Sequence, residues 1–129
     1  MEYYISTKLN VPFNETIDLV TQKLREQGFG VLTEIDVKAT MKKKLDIDFY
    51  NYKILGACNP PFAYKALQAE DKIGVMLPCN VIIQEKEKGT VEVSVVNPIA
   101  SMQAVENPAL SDIASEVTNR LKKVIGSLL

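Results

Sequence analysis

The stretch Val81–Val95, VIIQEKEKGTVEVSV, decides the fold. Val81 and Ile83 alternate with Ile82 and Gln84, and after the charged turn Glu85-Lys86-Glu87-Lys88-Gly89 the valines Val91, Val93 and Val95 alternate with Glu92 and Ser94. A period of two on both sides of a turn is the pattern of a hairpin with one wet face and one buried face. The buried face needs a cover, and the C-terminal sequence supplies it. Asn97-Pro98 ends the hairpin, residues 99–106 cross over, and Asn107-Pro108 places a capping side chain and a first-turn proline at the head of a last helix. Leu110, Ile113, Ala114, Val117, Leu121, Val124, Ile125 and Leu128 then form one apolar stripe, too wide to stand in water.

The upstream half extends the same sheet. Tyr3, Ile5, Thr7 and Leu9 alternate with Tyr4, Ser6 and Lys8, the signature of an opening strand. Asn14 is the expected cap of a helix carrying Ile17, Val20 and Leu24, which Gly28 stops in a left-handed conformation, with Phe29 folding back on Leu24. Val31, Thr33, Ile35 and Val37 alternate with Leu32, Glu34, Asp36 and Lys38 and predict a second strand directly after the helix, completing a β-α-β opening. Residues 38–48, with the run Lys42-Lys43-Lys44, suit either a short helix or an exposed connection. Tyr50–Ala57 is a third strand, and Asn59-Pro60 starts a second long helix through Phe62, Ala66 and Leu67, with Asn59 as its cap. The apolar run Ile73–Leu77 meets Pro78, which marks an edge, a bulge or a break. The expected architecture is α+β: one domain over residues 1–129, a curved antiparallel sheet with helices on one face, and a long C-terminal helix.

Composition narrows the function classes. The 129 residues include 15 Lys and Arg against 16 Asp and Glu, so no positive field is available for sequence-independent nucleic-acid binding. Histidine is absent, which removes serine triads, Cys-His dyads and imidazole-held zinc. No phosphate loop or dinucleotide fingerprint is present. No segment approaches the roughly 18 apolar residues that span a bilayer, the N-terminus has no secretory pattern, and the chain is expected in the cytoplasm with no membrane partner.

What chemistry remains belongs to the two cysteines. Cys58 ends a strand and precedes Asn59; Cys79 follows Pro78 and precedes Asn80, so each sits at a strand terminus. If the two strands are neighbours, the four residues Cys58, Cys79, Asn59 and Asn80 form one candidate site for a ligand or for redox cycling. Buried cysteine also packs as a small apolar group, and core filling alone accounts for both. Cys58 adjoins a helix start, where free amides favour a thiolate, and is expected to react with alkylating reagents faster than a free cysteine. As metal ligands, Cys58 and Cys79 fall short of the four that zinc needs. A carboxylate such as Glu70 or Asp71, a second chain, or a soft monovalent metal held by two sulfurs would have to complete the site.

The run Ile54-Leu55-Gly56-Ala57-Cys58-Asn59-Pro60-Pro61-Phe62-Ala63, followed by Leu67 and by Gly74-Val75-Met76-Leu77-Pro78-Cys79-Asn80-Val81, resembles the bacterial and archaeal domain of unknown function 302 family. Gly28-Phe29, Asp36-Val37 and Asn97-Pro98 fit the same pattern, and the likeness covers nearly the whole chain. The resemblance implies an arrangement like that of the TATA-box-binding protein, a curved antiparallel sheet with a long C-terminal helix, and a homodimer. It implies no activity, and whether the protein is an enzyme stays open. Both cysteines fall on motif positions of the family, which favours a thiol-based role at Cys58 and Cys79. Two other functions compete with that one: an apolar small-molecule site between sheet and C-terminal helix, and a homodimeric interaction module whose cysteines are structural.

Overall fold

The computed structural model describes residues 2–128. In chain order the elements are β1 (Tyr4–Leu9), α1 (Phe13–Glu26), β2 (Gly30–Asp36), α2 (Val37–Leu45), β3 (Asn51–Cys58), α3 (Pro60–Ala69), β4 (Cys79–Glu87), β5 (Thr90–Val96), α4 (Pro98–Ser101) and α5 (Ser111–Gly126). Short 3-10 turns occupy Asp71–Met76, Met102–Ala104 and Pro108–Leu110. The strands form one sheet in the order β1-β5-β4-β3-β2, every neighbouring pair antiparallel. The expected α+β class holds, and so does the hairpin: Val81 pairs with Val95 and Ile83 with Val93. The two strands of the β-α-β opening are not neighbours, however; they are the two edges, and α1 crosses the whole sheet between them.

The main core lies between the sheet and its helices, and a smaller cluster gathers Ala66, Ile73 and Leu110. Leu9, Leu55, Val81, Ile83, Val91, Val93 and Val95 supply the sheet side, while Val20 and Leu24 of α1 and Val117, Leu121, Val124 and Ile125 of α5 supply the helix side. The α5 stripe is the one read from the sequence; Leu110, Ala114 and Leu128 are buried with it. Gly28 is left-handed at φ +87°, and the Phe29 amide donates to the Leu24 carbonyl at 2.9 Å, so α1 ends as its sequence requires.

Several local expectations need correction. Asn14 caps nothing: α1 starts at Phe13 after Pro12, and the buried Thr16 hydroxyl instead donates to the Val11 and Pro12 carbonyls. Strand β2 forms where its alternation predicts, yet does not bury one face. Its pairing with β3 slips between Val31 and Thr33, which leaves Leu32 as an extra residue, and Ile35 stays 49% exposed on this edge strand. Of the two options for residues 38–48 the short helix holds: α2 runs Val37–Leu45, Asp36 caps it by accepting from Ala39 N–H, and it buries no side chain despite Met41 and Leu45. The run Ile73–Leu77 belongs mostly to the 3-10 turn, with Ile73 alone of it buried, and the break at Pro78 is the start of β4, after a cis Leu77–Pro78 bond.

Candidate functional site

The site follows from where β3 and β4 meet α3. Ala57 pairs with Cys79 across the two strands, and Cys58 is one step further along β3, opposite Gly30 of β2. The two thiols, 20 residues apart in the chain, therefore reach the same end of the sheet. Both are free, and both line one pocket of about 310 Å³. Its floor is Ala57, Cys58 and Cys79. Phe62, Ala66 and Leu67 of α3 form one wall, Ile113, Ala114 and Val117 of α5 another, and Met102 and Leu110 close the end. Leu32, the bulged residue of β2, stands at the mouth 68% exposed. Among the described residues, no charged side chain lines this space.

Asn59 is the one amide side chain of the pocket, and it is 7% exposed. The expected cap of α3 is absent: the Asn59 side chain bonds no amide of the first turn. The reason is in the sequence. Asn97 and Asn107 cap by accepting from the residue two further on, Ile99 N–H at 3.2 Å and Ala109 N–H at 3.0 Å. Two residues after Asn59 is Pro61, which has no N–H. Released from capping, Asn59 donates through Nδ2 to the Gln27 carbonyl at 3.3 Å, just past the end of α1. The Gln27 carbonyl also accepts from Arg120 Nη1 at 3.1 Å, and the Arg120 guanidinium lies 5.1 Å from the centre of the Phe62 ring. This clamp ties the ends of α1, α3 and α5 together behind the pocket.

Among the sequence candidates, then, Cys58, Cys79 and Asn59 share one site and Asn80 does not. Cys79 and Val81 face the helices, so Asn80 projects from the opposite face of the sheet, where it is exposed. Burial pushes the Cys79 thiol up to about 11, with the neighbouring Cys58 adding to it, so Cys79 is a neutral thiol near pH 7. Pro60 and Pro61 leave the helix start beside Cys58 without two of its amide donors. No group of three or more Cys, Asp or Glu able to hold a metal occurs among the described residues. Glu70 accepts from Asn107 and Asp71 pairs with Lys72, and neither carboxylate is among the residues that line the pocket with the cysteines. Sequence reasoning anticipated an apolar site between the sheet and the C-terminal helix with the cysteines in its wall, but missed Met102 and the Leu32 mouth. Met102, Ile113 and Leu32 carry no local mark that distinguishes a pocket wall from a core face.

A sequence profile of the family described as "Domain of unknown function DUF302" matches residues 5–128. The chain belongs to this family. A crystal structure of an "uncharacterized conserved protein DUF302" from Bacillus stearothermophilus superposes with a TM-score of 0.89 at 28% identity, covering 98% of both chains. The DUF302 fold is thus shared over essentially the whole length. An "Uncharacterized protein" of Aquifex aeolicus (strain VF5) is 30% identical over 87 residues, 67% of this chain and 54% of that one, so the chain spans about half the length of that relative. No helix of the described residues is long and apolar enough to cross a membrane.

Proposed function

We propose that this DUF302 domain binds a small, predominantly hydrocarbon molecule in the pocket between α3, α5 and the ends of β3 and β4. The observation that carries the reading is the wall: about 310 Å³ of open-mouthed space with no charged lining side chain among the described residues. That volume is at the lower end of small-molecule sites, and about twice the ~150 Å³ cavity known to take up benzene. The ligand is therefore on the scale of two fused rings or a short alkyl chain. Binding displaces water from apolar surface, and the sulfurs of Cys58 and Cys79 act as wall atoms.

Titration with a polarity-sensitive naphthalene dye tests this. Ala63, half-buried on the pocket wall, is replaced by Trp to fill the space from its rim. Dye affinity is expected to fall at least tenfold in Ala63→Trp, while the midpoint of thermal unfolding moves by a few degrees at most. An unchanged affinity in that variant, or no saturable binding to the native chain, removes the reading. A second reading keeps the sulfurs themselves as ligands of a soft monovalent metal, and one observation favours it: Cys58 and Cys79 are both free and line the same pocket. The two readings part on Cys58→Ser and Cys79→Ser. Dye affinity within about threefold of native supports the apolar site, and stoichiometric retention of copper(I), lost in both variants, supports the thiol pair.

A further inference from the structure

The pocket wall contains one polar group with unused capacity. The Asn59 amide is oriented by chemistry, because only its nitrogen can donate to the Gln27 carbonyl. Its oxygen then accepts no hydrogen bond among the described residues. Nor is that oxygen sealed in the protein: among the described residues the sole enclosed side-chain polar atom without a partner is Thr118 Oγ1. Asn59 is 93% buried, by its 7% exposure, and the open space it borders is the pocket. A ligand body that shuts water out of the pocket without donating to this carbonyl-type oxygen leaves it unpartnered, which costs free energy.

We propose that the pocket selects an uncharged ligand whose hydrocarbon body carries a single hydrogen-bond donor, a hydroxyl or an amide N–H, given to Asn59 Oδ1. The inference rests on the apolar-site reading above and adds the chemistry of the ligand's head. A carboxylate has no donor for this oxygen and no cation among the lining residues, so the anion would be stripped of water without compensation. An ammonium would likewise lack any carboxylate in the wall. A neutral alcohol or amide satisfies Asn59, while its body takes the place of water against Phe62, Ala66, Ile113 and Val117.

The experiment uses 2-naphthol, its methyl ether 2-methoxynaphthalene, and 2-naphthoate, with octan-1-ol and 1-methoxyheptane as a second, flexible skeleton, each titrated against the full chain at pH 7. In the native chain the alcohols are expected to bind at least as tightly as the ethers despite their stronger hydration, and 2-naphthoate more weakly than 2-naphthol. In Asn59→Ala the alcohols are expected to lose about fivefold in affinity, the size of one hydrogen bond, with the ethers changing less than about twofold. Retained ether binding shows that the variant is folded. Should it not fold, the order of alcohol, ether and carboxylate on the native chain still decides. Ethers tighter than alcohols, or naphthoate tighter than naphthol, overturn the donor assignment and leave the apolar site standing. If none of the probes binds, the apolar reading itself fails and this inference goes with it.

Discussion

At the scale of single residues, the cysteine pair looks different in place than on paper. Cys79 lies among hydrocarbon at the start of β4, and its thiol rises from an ordinary value of 9.0 to about 11. The sign of the consequence follows from proton counts. Below pH 9 the folded and unfolded chains both hold the proton; above it the unfolded chain releases first, so stability falls until the folded thiol also ionises near pH 11. The gap between the two values corresponds to about 3 kcal/mol. Urea unfolding from pH 8 to pH 11 is expected to show that extra loss in the native chain and not in Cys79→Ala, other titrating groups being common to both. Superimposable pH curves would remove the buried neutral thiol from the account. Asn59 teaches the companion lesson. Its neighbour Pro60 read as a cap signal, yet the second proline, Pro61, removes the one amide that the asparagines at 97 and 107 use. The sequence held that information, in the difference between one proline and two.

At the scale of elements, the end of α1 shows how a local stop becomes a structural joint. Gly28 takes φ +87°, and a Cβ there would lie 3.0 Å from Asn59 Nδ2 and 3.6 Å from Arg120 Nη1. Gly28→Ala is therefore expected to cost about 1–2 kcal/mol for the left-handed backbone. It also crowds the amide that donates to Gln27, so the dye in the pocket should bind more weakly although residue 28 does not line it. Denaturant midpoints and dye titration of the one variant read both effects; a stability change with unaltered dye affinity would show that the clamp behind the pocket does not position Asn59. The stop at Gly28 was legible because it needs only chain-local geometry. The joint was not, since Gln27, Asn59 and Arg120 are brought together by the docking of three helices.

For the whole molecule, the sheet order makes stability uneven. Strands β4 and β5 are internal and hold Val81, Ile83, Val91 and Val93 fully buried, whereas β2 is an edge with a bulge and α2 beside it buries no side chain. Local opening is easiest where few apolar contacts are lost. Hydrogen exchange is accordingly expected to release amides of residues 30–45 well before those of 81–95, and the opposite order would contradict the assigned core. This edge adjoins the pocket mouth, because Leu32 belongs to it. A bound ligand is expected to slow exchange in β2 first, by holding Leu32 against the occupied space.

The antiparallel hairpin, the α1 stop and the α5 stripe were settled by sequence alone, since alternation, a left-handed glycine and a 3.6-residue stripe are properties of contiguous residues. The same reading placed both cysteines at strand ends. Tertiary structure decided which strands became edges, that Ala57 and Cys79 face each other, that Asn80 points away, and that α3, α5 and the Met102 turn leave a hydrocarbon hollow between them. A hollow is the volume that surrounding elements fail to fill. It depends on how far apart helices dock, and no residue carries that distance in its own side chain.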